Sequence, residues 1–229
     1  MTSHRYGGRS VAAELKFCGM TRAADIVEAA RLGAHYVGVI FAGGPRHQSV
    51  ESAGQLLGKA PPALKRVGVV STQTIDEIVN LVRILGLHVV QLHADPSPSR
   101  IREVGIATGV DTWAVMRLSG ATLPATFPEV AAVANAIVLD AHVPGGLGGS
   151  GVRLPWSVLA RSLEAERGQA RLVLAGGLRP DNVGEAIAAI HPDVVDVSSG
   201  IESEPGIKDH ERMRAFRDAV QGAGMRSGR

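Results

Sequence analysis

Eight times along the chain, a short run rich in Val, Ile, Leu or Ala is followed by a longer segment with helical spacing. The runs are Leu15–Cys18, Tyr36–Phe41, Arg66–Val70, Val89–His93, Thr112–Met116, Ala136–Asp140, Arg171–Ala175 and Val194–Ser198. The helical segments are Ala23–Leu32, Ser49–Ala60, Thr74–Leu85, Pro98–Thr108, Leu123–Ala132, Pro155–Glu166, Asp181–Ile190 and Asp209–Val220. Strands alternating with helices of about 10–15 residues predict a parallel sheet, because a parallel neighbour requires a crossover. Eight such units predict an α/β fold closed into a (β/α)8 TIM barrel in a single domain, with an open doubly wound sheet as the structural alternative. The 229 residues are close to the roughly 250 typical of such barrels.

The punctuation agrees with this reading. Ser49 stands where it can cap the second helix, and Pro61-Pro62 ends it. Asp181 follows Pro180 at a helix start, and Gly33, Gly86 and Gly109 stand where helices stop. No linker or low-complexity stretch divides the chain. The expected layout is a flexible extension over 1–13, a barrel over 14–221 and a flexible tail over 222–229.

Composition excludes several functions. The 24 Lys and Arg nearly balance 22 Asp and Glu, and no basic run is interleaved with aromatics, so no nucleic-acid partner is expected. No stretch of about 18 uninterrupted apolar residues exists, so no membrane partner is expected either. The N-terminus is polar, without the apolar core of a signal peptide, and there is one Cys, which precludes an intramolecular disulfide. The expected location is the cytoplasm. No CxxC pair, HExxH or other metal-ligand spacing is present. No GxGxxG opens the first helix, and Gly145–Gly151 lacks the context of a dinucleotide fingerprint.

In such barrels the chemistry sits at the C-terminal ends of the strands. Strand seven runs into Gly176-Gly177 ahead of a helix, and strand eight runs into Ser199-Gly200. Glycines let backbone N–H groups approach an anion, so these two loops are candidates for binding phosphate; otherwise they are tight turns. Cys18 ends strand one, where it is either a small buried hydrophobe or a base that needs its thiolate. Asp140 ends strand six, either as a turn cap or as an acid under the long glycine-rich loop Val143–Pro155. His93 closes strand four as a structural or a substrate-facing histidine. Arg46, on a Gly/Pro loop, is either solvated or a bidentate fork for a carboxylate. Asp196 lies within strand eight and needs a partner, such as a substrate hydroxyl or Lys16.

These residues stand in motifs that together resemble the phosphoribosylanthranilate isomerase family of tryptophan biosynthesis. The resemblance runs from about Glu14 to Val220. It is carried by KFCGMT (Lys16–Thr21), VVQLHA (Val89–Ala94), IVLDA (Ile137–Ala141) with GGSG (Gly148–Gly151) and Trp156, LAGGLRPDNV (Leu174–Val183), and VDVSSGIE (Val195–Glu202) with PGIKD (Pro205–Asp209). It implies an Amadori rearrangement of a phosphorylated aminoaldose with no cofactor, in a monomer or homodimer. Cys18 is then the base and Asp140 the acid. Arg46 matches the arginine that meets the anthranilate carboxylate. His93 and Asp196 match residues lining the substrate, and Gly176, Gly177, Ser199 and Gly200 lie in the phosphate loops. The chain departs from the family pattern at Ala94, where Gly is usual, at Leu154-Pro155, where Phe-Asp is common, and in the loop Ala42–Pro45. Two alternatives remain: a histidine-pathway aminoaldose isomerase of the same fold, which uses an aspartate at the position of Cys18, and a catalytically silent phosphate-ligand barrel.

Overall fold

The computed structural model describes residues 13–93, 95–118, 122–140 and 156–226. Eight parallel strands, β1 (Glu14–Phe17), β2 (Tyr36–Ile40), β3 (Lys65–Val70), β4 (Val89–Leu92), β5 (Asp111–Arg117), β6 (Ala136–Asp140), β7 (Arg171–Ala175) and β8 (Val194–Val197), pair in sequence order, and β8 closes on β1. The closed order removes the open-sheet alternative. Around the barrel run α1 (Ala23–Arg31), α2 (Val50–Leu57), α3 (Ile75–Leu85), α4 (Pro98–Thr108), α5 (Phe127–Ala131), α6 (Trp156–Glu166), α7 (Val183–Ile190) and α8 (His210–Arg226).

Strand periodicity sorts the core into two apolar compartments. On β6, Ile137 and Leu139 join the large cluster shared with helix residues such as Ile26, Leu57 and Phe216. Ala136 and Val138 join a second cluster with Tyr36, Val67, Val89, Trp113, Val115, Val173 and Val194, to which no helix contributes. Alternate residues of a strand face opposite ways, so the second cluster is the barrel interior. Tyr36 and Trp113 meet there edge to face, 4.9 Å between ring centroids. Below them Arg171 bonds Glu14 at 2.6 Å and the Tyr36 hydroxyl at 2.9 Å, which closes the barrel floor with paired charges.

The helix ends follow local chemistry. Thr74 and Glu77 form a reciprocal capping box at the start of α3, and Gly86 ends that helix with φ +59°. The Ser49 side chain accepts from Ser52 N–H, as its position predicts. Four expectations need correction. The helix expected over Leu123–Ala132 is only Phe127–Ala131, because Leu123 precedes a proline that disfavours helical backbone before it. The helix expected from Asp181 begins at Val183, after a turn in which Asn182 accepts from Arg179 N–H. The helix expected to stop at Val220 runs through Gly222 to Arg226, since Ala219 and Ala223 extend its packed face. A hairpin of β9 (Glu202–Glu204) and β10 (Ile207–Lys208) follows β8 where only loop was expected. The N-terminal residues 1–12, Ala94, the loop Val143–Pro155 and the last three residues lie outside the described residues.

Candidate active site

Lys16 and Cys18, two residues apart, share the inward face at the end of β1. The Cys18 N–H donates to the Val197 carbonyl at 2.9 Å, which ties it to the end of β8. Beneath it, wholly buried Lys16 donates to Asp196 Oδ2 at 2.5 Å and to Gln91 Oε1 at 2.9 Å. Asp196 therefore has Lys16 as its partner, the protein-side member of the two partners open to it. Its other oxygen, Oδ1, is buried without a hydrogen-bond partner. Burial pushes the Cys18 thiol up from its ordinary value; Lys16 pulls it down, Asp196 pushes it up, and Lys208 pulls it down.

Asp140 closes β6, which lies three steps from β1 around the ring through β7 and β8. It is half-buried and sits in register with Arg117 of β5. The Leu118 N–H donates to its backbone carbonyl at 3.0 Å. His93 follows β4, and its Nε2 lies 3.3 Å from Arg117 Nη2. Its Nδ1 is buried with no hydrogen-bond partner. Burial and the Arg117 charge lower the His93 pKa against the pull of Asp140 and Asp95, so the ring favours its neutral form. A neutral imidazole with one uncommitted nitrogen can accept from or donate to a bound hydroxyl.

Arg46 is not a solvated surface residue. Its Nε and Nη2 grip Glu202 at 2.8 and 2.6 Å, and Glu202 in turn accepts from buried Lys208 at 2.7 Å. Lys208 also donates to the Ser198 carbonyl at 3.1 Å. This ionic strap joins the loop after β2 to the hairpin after β8. Gly19 lies beneath it with φ +69°, and a side chain there would strike Arg46 Cδ and Ser198 Oγ. Glu202 and Lys208 were not singled out as site residues from the sequence, although both fall within quoted motifs. The signal available was a charged pair closing and opening the two short segments around Pro205-Gly206.

Gly176 and Gly177 after β7 have φ +80° and +65°. Asn182 Nδ2 donates to the Gly177 carbonyl at 3.0 Å and fixes this turn ahead of α7. Ser199-Gly200-Ile201 form a single 3-10 turn after β8. A Cβ on Gly200 would land on the Leu178 carbonyl oxygen, so the two loops are pressed together and only glycine fits. Among the described residues no group of three His, Cys, Asp or Glu could hold a metal ion. No described helix is long and apolar enough to cross a membrane.

A closed eightfold barrel in which, among the described residues, His93 and Asp196 each keep a buried side-chain atom without a partner towards the C-terminal ends of the strands stands among the (β/α)8-barrel enzymes. Residues 15–219 match the family model described as N-(5'-phosphoribosyl)anthranilate (PRA) isomerase. A curated relative of that name from Syntrophus aciditrophicus is 37% identical over 218 residues, covering 91% of this chain and 87% of its own. The solved phosphoribosyl anthranilate isomerase of Thermotoga maritima superposes with a TM-score of 0.82 at 31% identity, covering 92% of this chain and 99% of its own. A further phosphoribosyl anthranilate isomerase, solved with reduced 1-(o-carboxyphenylamino)-1-deoxyribulose 5-phosphate, reaches 0.78 at 29% identity over 92% and 99%. The chain belongs to the N-(5'-phosphoribosyl)anthranilate isomerase family.

Proposed function

We propose that Cys18 and Asp140 are the base and the acid with which this isomerase of tryptophan biosynthesis converts N-(5'-phosphoribosyl)anthranilate to 1-(2-carboxyphenylamino)-1-deoxyribulose 5-phosphate. The observation that carries the assignment is their placement: one rim, three strands apart, each ending a strand on its inward face. Asp140 protonates the furanose ring oxygen. The C1–O bond breaks as the anilino nitrogen forms the C1=N bond. The Cys18 thiolate then removes the proton from C2, and those electrons form C1=C2 while the nitrogen recovers its lone pair. The resulting enolamine tautomerises to the ketone, so the redox change is internal to the sugar. Acid and base must reach different faces of the substrate, which groups on separate strands allow.

The remaining contacts follow the same geometry. The paired glycine loops, Gly176-Gly177 and Ser199-Gly200, take the phosphate and orient the sugar from its far end. A guanidinium has five N–H donors, and Glu202 uses two of those on Arg46. The rest are available to the anthranilate carboxylate, with the fork held in place by Glu202. Asp196 Oδ1 and His93 Nδ1 have no protein partner, and they take the sugar hydroxyls. Cys18 must stay reduced, which suits the cytoplasm.

Loss of substrate fluorescence measures turnover directly. Cys18→Ser and Asp140→Asn each lower kcat by about 10²–10⁴-fold, the usual contribution of a general acid or base, while binding of the product's phosphate end persists. Near-wild-type turnover in either variant sinks the assignment. Activity on the histidine-pathway aminoaldose instead of the anthranilate substrate would transfer the reading to that isomerase, and ligand binding without turnover in the wild type would mean a silent barrel.

A further inference from the structure

A buried ammonium needs each of its protons accounted for. Lys16 is fully buried and carries three N–H donors. Asp196 of β8 takes one and Gln91 of β4 takes a second, so Nζ is clamped from two sides of the barrel. The third has no oxygen acceptor among the described residues. Cys18 lies one step up the same inward face, and the charge of this ammonium favours its thiolate. The arrangement has the logic of a catalytic triad: a carboxylate holds a donor, and the donor is held against the reacting group.

We infer that Lys16 is a positioning residue for the proton abstraction: clamped by Asp196 and Gln91, it aims its charge and its remaining N–H at the Cys18 sulfur and favours the thiolate. The inference rests on Cys18 being the base. It also explains a lysine, with Asp196 and Gln91 around it, in a barrel whose remaining interior is largely Val, Ala, Tyr and Trp. A buried ion pair is weak evidence of stabilisation, since desolvation offsets much of the attraction. Its value here is electrostatic. Burial works against ionising the thiol, and a fixed donor beneath it counters that effect. The other groups facing Cys18 do not substitute for Lys16. Asp196 on β8 opposes the thiolate, Lys208 on β10 favours it more weakly than Lys16, Arg46 from the loop after β2 also interacts with it, and Gly38 on β2 contributes no charge.

Cys18 is the only cysteine in the chain, so ultraviolet absorbance of the thiolate against pH, with Cys18→Ser as the blank, reads this sulfur alone. Lys16→Met combined with Asp196→Asn removes both charges and conserves volume. It moves the thiol midpoint up by about one pH unit or more, because the opposite charge nearest the sulfur has gone. Asp196→Asn alone leaves Lys16 charged and moves the midpoint down. The limb of the kcat/KM profile that reports the base shifts in the same direction in each case. A double variant that folds by circular dichroism, with a midpoint at or below that of the wild type, overturns the inference. An Asp196→Asn midpoint that is unchanged or raised also overturns it, and this single variant decides the matter where the double does not fold. Near-wild-type turnover in Cys18→Ser removes the base and with it the role of Lys16; a thiol titration that still responds to Lys16 distinguishes that failure from a missing contact.

Discussion

Gly38 on β2 leaves room for the sulfur of Cys18. A methyl group there would lie 2.7 Å from Sγ and 3.4 Å from Cα, and neither Cys18 nor the buried strand can yield freely. Gly38→Ala therefore displaces the thiol without touching phosphate, Arg46 or Asp140. Displacements of about 1 Å in a reacting group cost on the order of 10²-fold in rate. The expected result is a kcat lower by that order with KM changed little. Steady-state kinetics on the anthranilate substrate check it, and a rise in KM at unchanged kcat would show that Gly38 acts on binding instead. Some of this scale is legible in the sequence. Cys18 and Asp140 are polar groups ending apolar runs, a pattern that marks the rim of a parallel barrel. Half of the clamp on Lys16 is legible, since a charge within strand eight needs a partner and Lys16 is a candidate for it; Gln91, 75 residues from Lys16, gives no such signal. The same holds for Arg46 and Glu202, 156 residues apart: a Gly/Pro loop reads as solvated until the chain closes and brings the hairpin to it.

At the scale of elements, periodicity and punctuation carry most of the fold. All eight strands lie within a residue or so of their expected spans because most of them are apolar runs buried on both faces; in β1 the buried Leu15 and Phe17 flank the inward Lys16. Helix α4 has its expected bounds, Pro98–Thr108, since Ser97 caps it and Gly109 stops it with φ +68°. The hairpin β9–β10 escapes such reading. Its strands are three and two residues long, too short for an alternation to register, and three of those five residues are charged. Helix α3 offers a test that separates an element from the site. Its capping box runs both ways, with Glu77 N–H donating to Thr74 Oγ1 at 3.3 Å and Thr74 N–H donating to Glu77 at 2.6 Å. Thr74→Ala removes half of it and costs about 1 kcal/mol. For a chain of this size that lowers Tm by roughly 2–4 °C. Turnover should be unchanged, because α3 and its cap carry none of the site residues. Calorimetry beside the fluorescence assay checks both halves, and an unshifted Tm would mean that solvent replaces the cap at no cost.

For the whole molecule, the closing seam of the barrel is held by ionised carboxylates, and this sets how the fold responds to acid. Glu14 and Glu202 lie on opposite ends of the seam where β8 meets β1. Burial alone would raise both carboxyls; hydrogen bonds from Arg171 and Tyr36 to Glu14, and from Arg46 and Lys208 to Glu202, outweigh it and hold both below their ordinary 4.5. Glu28, Glu77 and Asp209 are likewise lowered, chiefly by Arg31, by Thr74 and by the backbone of Arg212. A carboxyl lowered on folding binds fewer protons in the native than in the unfolded chain at acid pH. Its contribution is therefore complete above the unfolded value and is lost as pH falls through the folded one. Stability should begin to slip below about pH 6.5, where His88 and His93, both lowered on folding, bind protons more readily in the unfolded chain, and should fall further below about pH 4.5, the ordinary value of the four glutamates. Glu202→Gln isolates the buried member of the set. At neutral pH it leaves Arg46 and Lys208 facing each other without an anion, a loss of the order of 3–5 kcal/mol for a broken buried pair. In acid below the folded value the wild-type carboxyl is itself neutral, and the gap between wild type and variant narrows. Urea unfolding of both proteins at neutral pH and at about pH 3 measures that gap directly. A gap of constant size across the range would show that Glu202 acts through shape and hydrogen bonding alone, and that its charge contributes nothing to closing the barrel.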